Sequence, residues 1–146
     1  MKSFTYSKLV RTSAIYDLIT TSAFVTPWTF NLINDVIGRF TLLPTFEPLH
    51  VLFVNLLGSV VVVWSIVRIK SPEARFGLYD TFARGLFFAW QINYLVLENG
   101  NSIVWFFAVF EFAFGVAQGY GYWLRQKLRS GVQPNCRVVR YLVAAA

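Results

Sequence analysis

Four long apolar stretches are the feature that most constrains this 146-residue sequence. A helix needs about 20 mostly apolar residues to cross roughly 30 Å of hydrocarbon, and each stretch has that length. Short connections predict that neighbouring helices run antiparallel. We therefore predict an all-α membrane protein, a four-helix bundle of two antiparallel hairpins, with transmembrane helices over about residues 13–37, 49–69, 76–97 and 102–124.

The composition agrees with a lipid environment. Hydrophobic residues make up 56% of the chain and charged residues only 14%, whereas soluble domains carry about 25% charged residues. A water-soluble fold of this size has too little interior to hide so much apolar surface. We expect a single integral membrane domain over residues 1–146, surrounded by lipid.

Basic residues predict the orientation of the helices. They precede the first helix, fill the second connection and follow the fourth helix. These residues are Lys2, Lys8 and Arg11, then Arg68, Lys70 and Arg75, and finally Arg125, Lys127 and Arg129. Because positive charge favours the cytoplasmic side, we predict a multi-pass inner-membrane protein with both termini in the cytoplasm. The basic tail over 125–146 is either a segment on anionic lipid headgroups or a disordered segment.

Several kinds of site are excluded by composition. Cys136 is the only cysteine and His50 the only histidine, so an internal disulfide, a CxxC redox site and a His-rich metal centre are ruled out. We interpret the net charge of +6 as a topology signal rather than a sign of nucleic-acid binding. We expect no cofactor and no metal.

Polar side chains inside the predicted helices are the candidate site. Such groups are costly in lipid, so they face the bundle interior and find partners there. Residues spaced by three, four or seven share a helix face. By this criterion the candidate interior residues are Asp17, Trp28, Asn31, Asn55, Asp80, Arg84, Gln91, Glu111 and Gln118. His50, at the outer start of the second helix, is a further candidate because histidine titrates near neutrality.

Glu111 is the most informative of these residues because it is the only charge in its helix and sits near the predicted midplane. At that depth a carboxylate either pairs with Arg84 or stays protonated. One interpretation is a site for protons or cations. The other is a packing network, in which Arg84 neutralises Asp17 and Asp80 while amides bridge the helices.

Pro27 and a pair of glycines carry structural predictions. Pro27 lacks an N–H, so the carbonyl of Ala23 loses its usual partner, and a kink there would either shape a cavity or be merely structural. Gly115 and Gly119 form a small-xxx-small pair that lets another helix approach closely. We expect this pair to serve a homo-oligomer or a membrane complex.

Short resemblances to known families do not identify the chain. The stretch Val54-Asn55-Leu56-Leu57-Gly58-Ser59 is similar to the VNxxG stretch of the small fluoride channels, but their Thr/Ser/Phe-rich break is absent from the third helix. The chain resembles small multidrug transporters in size and in one membrane-embedded Glu, which those proteins carry in their first helix. Its general layout looks like that of four-helix proteins of DoxX type.

Three functional hypotheses follow. The first is a small binding or transport protein, whose aromatic-lined cavity and buried carboxylate take a small apolar or cationic compound or protons. The second is an accessory subunit of a membrane complex. The third is a membrane enzyme that uses carboxylates as acid and base on a lipid-like or quinone-like substrate, which no nucleophile or metal constellation supports.

Overall fold

The computed structural model describes residues 3–131, and within that range it is helical and contains no strand. A 3-10 turn over Ser22–Phe24 separates the first two α-helices. The five α-helices are α1 (Ser3–Thr21), α2 (Pro27–Gly38), α3 (Pro48–Lys70), α4 (Ala74–Leu97) and α5 (Val104–Gly131).

Two of these helices are long and apolar enough to cross a membrane, over Pro48–Lys70 and Val104–Leu128. The predicted helices over 49–69 and 76–97 agree with α3 and α4 to within two residues. The helix predicted over 102–124 continues to Gly131, so the first part of the predicted tail is helical. The rest of the tail, including Cys136, lies outside the described residues.

The predicted first helix over 13–37 is corrected in two ways. It begins ten residues earlier, at Ser3, and it ends at Thr21 instead of continuing through Pro27. Thr26 is extended and caps α2, since its hydroxyl accepts from the backbone N–H of Thr29 at 3.2 Å. Pro27 then occupies the first helical position, where a missing N–H costs nothing. Thr26-Pro27 therefore starts a new helix and does not merely kink the old one.

The break between α1 and α2 is held by α3. The side-chain amide of Asn55 donates to the carbonyl oxygen of Phe24 at 2.9 Å, which satisfies a backbone group that the broken helix leaves free. Gly58 lets the two backbones meet, since a Cβ at that position would lie 2.6 Å from the Phe24 oxygen. Asn55 and Gly58 thus form a backbone clamp around the break.

Helix α1 occupies the centre of the molecule. Tyr6, Val10, Ser13 and Ala14 are fully buried, because α1 is flanked by α3, α4 and α5. Helix α4 packs along α5, and α1 packs along α3. Helices α3 and α4 are joined by residues 71–73. Near that connection they meet through the side chains of Trp64, Arg68, Phe76 and Asp80, but their backbones stay apart, so a space remains between them farther along.

Polar groups are inside and apolar groups outside. The buried polar residues of the described range are Ser13, Asp17, Asn55, Ser65, Arg68, Asp80, Arg84 and Gln118. Large apolar side chains such as Leu32, Leu86 and Trp90 are more than 60% exposed. Proteins in water show the opposite distribution, and their charged residues are almost never fully buried unless paired.

The clamp predicts opposite effects for two helical glycines. Alanine normally stabilises a helix by about 1 kcal/mol relative to glycine, and at Gly85 no atom of another helix lies within 4 Å of the place that a Cβ would take. At Gly58 the collision with Phe24 should outweigh that gain and cost about 1–3 kcal/mol. Thermal unfolding in detergent, followed by circular dichroism, should show Gly58→Ala melting below the wild type and Gly85→Ala at or above it. A Gly58→Ala protein as stable as Gly85→Ala would contradict the close approach.

Candidate functional site

Five charged side chains from four helices meet in the interior and form what we call the charge cluster. Its members are Asp17 of α1, Arg68 of α3, Asp80 and Arg84 of α4, and Glu111 of α5. The sequence placed four of the five on interior faces. Asp80 and Arg84 also pair along α4, as their spacing of four residues predicts.

Arg84 is the centre of the cluster. Its Nη2 donates to both oxygens of Asp17, at 2.7 and 2.6 Å. Its Nε donates to Asp80 Oδ2 at 2.9 Å and its Nη1 to Glu111 Oε2 at 2.9 Å. The planar guanidinium can reach three carboxylates at once because its donors form a fixed fork. Arg84 therefore ties α1 and α5 to α4.

Arg68 is the member that the sequence reasoning missed. It was counted with the basic residues of the second connection, whereas the structure buries it completely. Its Nη2 lies 2.5 Å from Asp17 and its Nη1 2.5 Å from Asp80. One available signal was spacing, since Gly58, Ser65 and Arg68 follow one another at intervals of seven and three on the buried face of α3.

The charges of the cluster do not balance. Asp17, Asp80, Arg68 and Arg84 form a neutral quartet of two carboxylates and two guanidinium groups. Glu111 is the third carboxylate, so the fully ionised cluster carries one excess negative charge. An uncompensated charge is costly in an apolar interior, which sets Glu111 apart from the other four members.

Glu111 is also the least engaged carboxylate. Among the described residues it hydrogen-bonds only through Oε2, to Arg84. Asp80 faces both arginines and accepts from the indole Nε1 of Trp64 at 3.1 Å. The side chain of Glu111 is 15% exposed, against 4% for Asp80. Glu111 is thus the carboxylate with capacity for another partner.

A cavity of about 580 Å³ lies beside the cluster, in the space between α3 and α4. Asp17, Asp80, Arg84 and Glu111 are in its wall, and the rest of the lining is largely apolar and aromatic. The lining side chains Leu57, Val60 and Tyr79 are more than half exposed, so the cavity opens sideways between the two helices. Its volume is in the range of small-molecule sites.

Of the two glutamines predicted as site residues, one is in the cavity wall and the other lies behind the charge cluster. Gln91 lines the cavity. Gln118 lies behind the cluster, where its side-chain amide donates to the hydroxyl of Ser13, which also accepts from Arg68 at 3.4 Å. Gln118 is fully buried and is not among the residues of the cavity wall; through Ser13 it supports the position of Arg68.

Four other predicted site residues are not in the cavity wall. The break after α1 shifts the helical register, so Trp28 is 79% exposed and Asn31 is exposed as well. Asn55 serves the backbone clamp, and with Asn31 it lines a separate groove beside Pro48. His50 is exposed and its Nδ1 accepts from the backbone N–H of Glu47 at 3.2 Å, which caps α3.

Gly115 and Gly119 are used within the chain. A Cβ at Gly119 would lie 3.0 Å from Thr81, and one at Gly115 would lie 3.4 Å from Arg84. Gly119 therefore lets α5 approach α4 closely, whereas a Cβ at Gly115 would make an ordinary contact with Arg84. The homo-oligomer or complex predicted from this pair stays a prediction, and its glycines have an intramolecular role.

Comparison with known proteins gives no match. No family model, no curated protein and no solved structure matches this chain. Within residues 3–131 no group of three or more His, Cys, Asp or Glu side chains is arranged to hold a metal ion.

Two arginines near the same connection should differ greatly in their effect on stability. Removing one partner of a buried ion pair costs about 3–5 kcal/mol, and Arg68 serves two carboxylates. Arg75 pairs with Glu73 at the surface, where a pair contributes about 0–1 kcal/mol. Unfolding in detergent should show a large loss for Arg68→Gln, a smaller loss for Arg68→Lys, and little change for Arg75→Gln. Equal losses for Arg68→Gln and Arg75→Gln would contradict the buried role of Arg68.

Proposed function

We propose that this chain is a multi-pass inner-membrane protein that crosses the bilayer four times. The first crossing is α1 with α2, and the others are α3, α4 and α5. Two helices that meet the length and apolarity requirement support this proposal, as does the apolar exterior around a polar interior. Helix α4 has 24 residues, enough for about 36 Å. Of its three charged residues, Arg75 lies at its first turn, and Asp80 and Arg84 belong to the charge cluster.

The proposed orientation places both termini in the cytoplasm. At one end of the helices lie basic residues of α1, α3, α4 and α5, among them Arg11, Lys70, Arg75 and Arg125. The connections at the other end carry Glu47 and Glu98. Positive charge is retained on the cytoplasmic side, so this distribution favours a cytoplasmic location for the end that carries the basic residues.

Within that setting we propose a binding or transport function for a small apolar or cationic compound, with Glu111 as the group that meets it. The observation that carries the proposal is the lateral cavity with one uncompensated carboxylate in its wall. The four charges of the neutral quartet cancel one another, so helix packing is a sufficient role for them. Packing does not explain Glu111, since its charge has no counterpart within the cluster.

The cluster suggests how binding and proton exchange are coupled. The excess charge at Glu111 must be neutralised in an apolar medium, and either a proton or a bound cation does so. A cation that enters the cavity therefore replaces the proton. Trp64, Phe24, Phe87 and Phe107 line the same cavity, and aromatic faces add attraction for a cation.

The proposed topology can be tested with single cysteines. In a Cys136→Ser background, Glu98→Cys places a thiol between α4 and α5, and Ser71→Cys places one between α3 and α4. A membrane-impermeant maleimide applied to intact cells should label Glu98→Cys only, because the other thiol faces the cytoplasm. Both should react after the cells are permeabilised. Labelling of Ser71→Cys alone in intact cells would contradict the proposed orientation and indicate the opposite one.

The proposed site can be tested with a delocalised cation. The purified protein in lipid nanodiscs should bind tetraphenylphosphonium saturably in equilibrium dialysis. Glu111→Gln removes the excess charge and should weaken binding about tenfold or more, equivalent to about 1.4 kcal/mol. Glu98→Gln removes the same charge from an exposed turn and should leave binding unchanged. Equal affinities for the two variants would contradict a role for Glu111.

A further inference from the structure

The cavity is elongated and has one charged end. Along α3 its lining runs from Val54 to Trp64, a rise of about 15 Å. The cytoplasmic end holds Asp17 and Asp80, while Phe24, Phe107 and the side-chain amide of Gln91 line the opposite end. A ligand that fills this space must carry its charge at one end and be largely apolar along the rest of its length.

The opening of the cavity determines where such a ligand comes from. The backbones of α3 and α4 stay apart beyond the side-chain contacts near their connection, and the exposed side chains of Leu57 and Val60 line the space between them. If these helices cross the bilayer, that opening faces hydrocarbon rather than water. The compounds that arrive there are already dissolved in the membrane, with a head near the interface and a chain in the core.

The charge of the cluster selects the head group. An anionic head would add a negative charge to the cluster, and a neutral head would require Glu111 to keep its proton. A cationic head takes the place of that proton, so the net charge of the cluster with its ligand is zero. The remaining oxygen of Glu111 can lie against a cationic head, whether or not that head carries an N–H. Trp64, whose ring centre is already 5.5 Å from the guanidinium carbon of Arg68, lines the same end of the cavity.

We propose that the ligand of this cavity is a single-chain amphiphile with an ammonium head, which enters sideways from the bilayer between α3 and α4. Its head lies at Glu111, toward the cytoplasmic end, and its chain extends toward Phe24 and Phe107. This inference rests on the proposed function and narrows it to a lipid-like cation held in one direction.

Bromine quenching can measure the direction of the chain. Bromine quenches tryptophan on contact, and the native tryptophans include one at the cytoplasmic end of the cavity and one in the lipid-facing surface. Trp64 reports the first location, and Trp90, which is 70% exposed, reports the second.

Three single-tryptophan proteins are needed, each with the other tryptophans replaced by Phe. One retains Trp64, one retains Trp90, and one carries Phe107→Trp to report the outer end of the cavity. The probes are decyltrimethylammonium brominated beside the head or at the chain terminus, and decanol brominated in the same two ways.

The expected result is saturable quenching of Trp64 by the head-brominated cation and of Phe107→Trp by the tail-brominated cation. Trp90 should show only the non-saturating increase that follows partition into lipid. Adding Glu111→Gln should raise the half-saturating concentration at Trp64 about tenfold or more, and the brominated decanols should bind at least tenfold more weakly than the cations.

Other outcomes would overturn the proposal. The reverse pattern of quenching contradicts the direction of the chain, and equal binding of decanol contradicts the need for a charged head. Non-saturating quenching at all three positions shows that the amphiphile is not a ligand. If tetraphenylphosphonium still binds through Glu111 in that case, the proposed function stands and only this inference fails.

Discussion

The cost of placing ionised side chains in an apolar medium governs this structure. Two guanidinium groups and three carboxylates lie in the interior, and each must find its partner there. Arg84 reaches from α4 to α1 and α5, and Arg68 reaches from α3 to α1 and α4. These ion pairs fix four helices relative to one another, whereas the buried apolar residues of the described range are few.

The same constraint applies to the backbone and explains how the break between α1 and α2 is held. A free carbonyl is costly where water is absent, so a helix that stops inside the molecule needs another donor. Asn55 supplies it at Phe24, and Gly58 allows the approach. The break leaves Phe24 at the end of the cavity opposite the charges. The backbone clamp around Phe24 therefore lies toward one end of the cavity, and the charge cluster lies at the other end.

Local rules predicted much of the site and missed what depends on tertiary contacts. Spacing and the cost of burial pointed to Asp17, Asp80, Arg84 and Glu111 because both arguments need only one helix at a time. Arg68 was missed because an arginine near a helix end, close to Lys70 and Arg75, has the pattern of a topology signal. Trp28 and Asn31 were placed inside because Pro27 was interpreted as a kink in one continuous helix. An aromatic-lined cavity was part of the first functional hypothesis, but its position could not be predicted, since it results from the divergence of α3 and α4.

Carbodiimide labelling tests the central claim, that Glu111 is the uncompensated carboxylate of an intramembrane cavity, most directly. A hydrophobic carbodiimide reaches groups from the lipid phase and reacts with protonated carboxyl groups, and mass spectrometry identifies the modified residue. The account predicts an adduct on Glu111 in native membranes, none on Asp17 or Asp80, and no reaction of Glu111 with a water-soluble carbodiimide. Modification of Asp80 in place of Glu111, or of Glu111 by the water-soluble reagent, would contradict it.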